Sequence, residues 1–96
     1  MGASRSSPAA IGRHTSIKER IYRVLLSAPG EAWTVRTLTT AAGSDIRTSS
    51  VRDTIYMLIA AGAMTVVPGN QAITVRLSAD GLTRLRSIEK AWNRPM

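Results

Sequence analysis

Ninety-six residues, 44% of them hydrophobic, are enough for one core and leave no room for a second domain. The chain has no cysteine, which excludes a disulfide framework and a cysteine-ligated zinc site. Lysine and arginine number 13 against 6 acidic residues, a net charge of +7 that points to a polyanionic partner.

Eleven of the thirteen basic residues are arginine, whose planar fork suits bidentate contact with phosphate or guanine. With two Trp, two Tyr and no Phe, the core must be aliphatic, and few rings remain on which single-stranded bases could stack. No apolar run approaches the roughly 18 residues of a membrane span, and the first residues lack the apolar block of a secretory signal. A cytoplasmic protein with no membrane association is therefore expected.

Residues 1–15 are rich in Gly, Ser, Pro and Ala, carry Arg5 and Arg13, and lack apolar periodicity, so a flexible basic arm is expected there. Residues 16–96 form the domain. A first helix is predicted from Ser16, with Ser16 and Glu19 as a capping box and Ile17, Ile21, Val24, Leu25 and Ala28 at helical spacing. Pro29-Gly30 ends it.

Thr34 is the expected N-cap of a short second helix, Val35 to Ala42, with Trp33 and Leu38 as a hydrophobic staple and Gly43 as a left-handed stop. Ser50 and Asp53 read as a second capping box opening a third helix, in which Val51, Ile55, Leu58 and Ile59 recur at helical spacing up to Gly62. The period then changes to two. Met64 to Val67 and Ile73 to Leu77 are β-prone runs around the turn residues Pro68 to Gln71, with Ile73, Val75 and Leu77 expected on one face and Thr74 and Arg76 on the other. Ser78 caps a last helix with an apolar stripe of Leu82, Leu85, Ile88 and Trp92.

The predicted class is α+β, mostly α: three helices, a two-stranded β-hairpin wing and a C-terminal helix. Thr34 to Gly62 reads as a helix-turn-helix, whose second helix can rest its apolar face on the core and offer the other to a major groove. The segments Val35 to Gly43, Ser50 to Met64 and Leu77 to Leu85 resemble winged helix-turn-helix regulators. Leu77-Ser78-Ala79-Asp80-Gly81-Leu82-Thr83-Arg84-Leu85 in particular looks like the strand-to-helix segment of multiple-antibiotic-resistance-type and phenolic-acid-type repressors. The resemblance covers about residues 16 to 92. It implies a regulator of transcription, acting as a repressor on double-stranded DNA.

On that reading, Arg47, Thr48, Ser49, Arg52, Asp53 and Tyr56 are the candidate base readers. Arg52 can fork onto guanine, Asp53 can accept from cytosine N4 or orient Arg52, and Ser49 can bond base or phosphate. Asp53 as a plain helix cap and Tyr56 packed over the wing are the alternatives. Arg13, Lys18, Arg36, Arg47 and Arg76 are candidate phosphate contacts, and Asn70 and Gln71 stand at a wing tip without a basic residue.

The stripe Leu82, Leu85, Ile88 and Trp92 either folds back on its own core or forms a dimer interface. A homodimer is the expectation, because it matches a palindromic operator. His14 is the one histidine, and no nucleophile elbow, phosphate-cradling Gly loop or paired-carboxylate site appears, so neither metal, cofactor nor enzymatic activity is expected. An interaction module for protein or RNA is the competing reading, favoured by the neutral wing tip.

Overall fold

The computed structural model describes residues 8–93. It is a mostly helical α+β unit, with helices α1 (Pro8–Gly12), α2 (Ser16–Ser27), α3 (Val35–Ala42), α4 (Thr48–Ala60) and α5 (Ala79–Trp92) and strands β1 (Trp33–Thr34), β2 (Met64–Val67) and β3 (Thr74–Leu77). The strands form one antiparallel sheet in the order β1-β3-β2.

The helices follow from apolar stripes converging on one aliphatic core. Ile21 and Leu25 of α2, Leu38 of α3, Val51, Ile55 and Leu58 of α4, and Leu85 of α5 are all buried together, with Val75 closing the sheet side. The α2 cap lies one residue before the expected position: the Thr15 hydroxyl accepts the Lys18 N–H, and Ser16 is already helical. Thr34 caps α3 as expected, and Thr37 completes the box by accepting the Thr34 N–H. A capping residue is extended, which lets Thr34 and Trp33 pair with Thr74 and Val75 and adds a third strand to the expected pair.

Three further expectations are corrected. The Ser50–Asp53 capping box does not form, because α4 starts at Thr48 and takes Arg47 as an N-cap without a side-chain bond. Ile73 lies before β3 and is 47% exposed, while its neighbour Thr74 is buried on the central strand, so burial alternates only from Val75 onward. Gly43, after α3, has a positive φ (139°) but an extended ψ (135°), so no left-handed stop forms there, whereas at the end of α4 Gly62 (φ 78°) reverses the chain and the Ala63 N–H returns to the Leu58 carbonyl.

The largest correction concerns the arm. Residues 1–7 lie outside the described residues, but 8–14 are part of the folded unit. Ile11 is fully buried in the core, the buried Tyr22 hydroxyl donates to its carbonyl (2.9 Å), and the Lys18 ammonium donates to the Ala10 carbonyl (2.7 Å). Burial, and secondarily the charge of Arg13, pulls the Lys18 ammonium below its usual pKa. Burial pushes the Tyr22 hydroxyl up.

The apolar stripe of α5 folds back on the same core. Leu85 is fully buried, and Leu82, Ile88 and Trp92 pack against the cluster; the Trp92 ring stacks on Tyr22 with centroids 5.2 Å apart. Within the protomer Leu85 is fully covered, whereas Leu82, Ile88 and Trp92 are half-buried and keep part of their surface open to solvent.

Candidate nucleic-acid interface

The α3–α4 pair and the end of the β2–β3 hairpin loop enclose an open cleft of about 710 Å³. The start of α3 supplies Thr34, Val35 and Arg36, and its later turns Thr39 and Thr40. One face of α4 supplies Thr48, Arg52 and Tyr56, and the approach to β3 supplies Ala72 and Ile73. Spacing explains the α4 contribution: Thr48, Arg52 and Tyr56 are four residues apart and form one ridge, about a quarter-turn around the helix from the buried line of Val51, Ile55 and Leu58.

The walls combine cation, hydroxyl and apolar surface. Arg36 and Arg52 are exposed and, among the described residues, neither has an acidic group within ion-pair distance. Three other arginines are paired, Arg20 with Asp45, Arg23 with Glu19 and Glu89, and Arg84 with Asp80, while Arg13, Arg47, Arg76 and Arg86 are, among the described residues, without an acidic partner like the two in the cleft. Tyr56 and Ile73, each 47% exposed, are two of the three large apolar side chains most open to solvent, and both line the cleft. An apolar surface flanked by unpaired guanidinium groups fits a ligand that carries both phosphate and apolar area.

Of the residues expected to contact DNA, the cleft brings together Arg36, Thr48, Arg52 and Tyr56. Arg47, Ser49 and Asp53 are exposed on the first turns of α4 without lining it, and Arg76 is exposed on β3. Asn70 is held within the hairpin loop, its amide donating to the Val67 and Pro68 carbonyls at 3.3 Å each, and Gln71 is exposed beside it. Lys18 is spent on the end of α1, and Arg13 lies on that same side of the chain. Thr34, Val35, Thr39, Thr40, Ala72 and Ile73 are the cleft residues that sequence reasoning missed. The cap position of Thr34 and the four-residue spacing of Val35 and Thr39 carried a signal for the α3 wall; Ile73 carried none, because its run pointed to a core-facing strand.

Both ends of α4 are gripped by arginines from flanking helices. At the near end, Arg20 of α2 forks onto Asp45 with bonds of 2.9 and 2.8 Å and donates through Nε to the Ala42 carbonyl (3.1 Å). Hydrogen bonding to Arg20 holds the Asp45 carboxyl at about 2. At the far end, Arg84 of α5 donates to the Ala61 carbonyl (2.7 Å), and the Ser78 hydroxyl donates to that of Gly62 (2.8 Å).

Among the described residues there is no cluster of three or more potential metal ligands, and no helix is long and apolar enough to cross a membrane. Compared with protein-family models, curated proteins and solved structures, the chain matches none of them.

Proposed function

We propose that this chain is a winged helix-turn-helix protein that binds double-stranded DNA sequence-specifically and regulates transcription, as a repressor, in the cytoplasm. α4 is the reading helix, β2–β3 is the wing, and the cleft beside α4 receives the phosphate-bearing wall of the major groove. The observation that carries this reading is the pairing of Arg36 and Arg52 in one cleft, both without an acidic partner among the described residues, on a chain of net charge +7. Arg47 and Arg76 add unpaired charge to α4 and the wing.

Operator symmetry favours a homodimer, and Leu82, Ile88 and Trp92 of α5, half-buried in the protomer, keep surface that a second copy could cover. Selection from a random duplex library tests the reading: enrichment of a defined site supports it, and salt-sensitive binding without enrichment reduces it to non-specific DNA binding.

A second reading, a module that binds protein or RNA, draws on the exposed apolar side chains Tyr56, Ile73 and Val66 and on a hairpin tip without basic residues. Binding that survives high salt favours a protein partner, whereas salt-sensitive binding to RNA with no preference for duplex DNA favours an RNA one.

A further inference from the structure

We propose that Arg20 is a positioning residue for the reading helix: by gripping the turn between α3 and α4 it sets where α4 starts, and so how Arg36 and Arg52 converge on the ligand. The inference rests on the reading of the cleft as a DNA interface and assigns a role to a residue outside it.

Three observations carry it. First, the guanidinium makes three bonds to the turn, two to the Asp45 carboxylate and one to the Ala42 carbonyl, so it fixes both the end of α3 and a residue two positions before the α4 N-cap. Second, the turn is shaped around it: a Cβ at Gly43, where φ is 139°, would collide with the Arg20 guanidinium and the Asp45 carboxylate. Third, the pair is open to solvent, with side-chain exposures of 38% and 72%, and an exposed ion pair contributes little to folding. A three-point grip with small stabilising effect is suited to fixing geometry. No side-chain bond caps the start of α4, so the turn is the element that holds this end in register.

Charge separates positioning from simple attraction. Asp45→Asn removes a negative charge, so if electrostatics alone mattered, duplex affinity would rise for every sequence. Arg20→Lys keeps the charge and loses the planar fork.

The test uses the full chain and measures affinity for a selected duplex and a scrambled duplex at one salt concentration, with thermal melts alongside. Asp45→Asn is expected to weaken the selected duplex about two- to fivefold, the most that an exposed ion pair can supply, while binding of the scrambled duplex holds or strengthens. Arg20→Lys is expected to lose selected-site affinity alone, and both variants should melt near the wild type. Parallel changes on the two duplexes, or an unchanged selected-site affinity, overturn the positioning role. A wild type that does not distinguish the duplexes overturns the DNA-reading assignment itself and the inference with it, a result visible before any variant is made.

Discussion

The indole N–H of Trp92 donates to the carbonyl of Gly12 at 3.1 Å, joining the last turn of α5 to the end of α1 across 80 positions of the chain. The same ring stacks on Tyr22 and meets His14 edge-on, with centroids 5.2 and 5.0 Å apart. α1, α2 and α5 thus close the side of the domain through one aromatic group.

Two substitutions separate a packed α1 from a loose arm. Ile11→Ala should cost about 3 kcal/mol, because it removes a fully buried side chain. Tyr22→Phe should cost about 1–2 kcal/mol by leaving the buried Ile11 carbonyl without its donor. Urea denaturation reads both, and wild-type stability in Ile11→Ala would show that 8–12 are not part of the core.

Gly81 lies against the backbone of Ala63, where the Ser78 N–H also bonds the Ala63 carbonyl. An added Cβ would overlap that carbonyl, so Gly81→Ala should destabilise by about 1–3 kcal/mol despite the better helix propensity of alanine. Gly30, with open space around its Cβ position, is the control: Gly30→Ala should stay within about 0.5 kcal/mol of the wild type. Equal melting temperatures for the two variants would contradict the close packing of α5 on the end of α4.

The turn grip has a defined acid limit. The Asp45 carboxyl is held at about 2, below its ordinary 3.8, first by hydrogen bonding to Arg20. A lowered carboxyl pKa stabilises the fold only while the group is ionised. The contribution is therefore complete above about pH 4 and lost as pH falls through about 2. Carbon-detected NMR titration should find Asp45 still ionised at about pH 3, and in Arg20→Met its midpoint should return toward 3.8. A midpoint unmoved by Arg20→Met would mean the fork does not form in solution.

The parts of the fold that sequence made legible are those built on repeated spacing. The stripes of α2, α4 and α5 and the alternation of Val75, Arg76 and Leu77 each place several residues on one face. What escaped depends on single side chains or on distant partners. α1 is five residues long with one large apolar residue, and its place on the core is marked by bonds from distant Tyr22 and Trp92 to the Ile11 and Gly12 carbonyls. β1 is two residues whose pairing lies some 40 positions away in β3. The α5 stripe announced burial without saying by what, and the answer came from α1 and α2, elements that fold back from the other end of the chain. In the cleft, the α4 ridge was legible from its spacing, whereas the α3 and hairpin-loop walls required knowing which surfaces meet.

Charge should matter by place. Arg36→Ala and Arg52→Ala should each weaken duplex binding, whereas Arg23→Ala, whose guanidinium already pairs with Glu19 (3.0 Å), should weaken it far less. Electrophoretic mobility shifts at low salt compare the three directly; equal losses would mean that net charge alone attracts DNA.

The most direct test of the central claim is the salt dependence of binding to a selected duplex, compared between the wild type and the Arg36→Ala, Arg52→Ala double variant. The wild type should weaken steeply as salt rises, and the variant's log–log slope should be shallower by about 2, one unit for each lost phosphate contact. Identical slopes, or no duplex binding by the wild type at low salt, would contradict the assignment of this cleft to DNA.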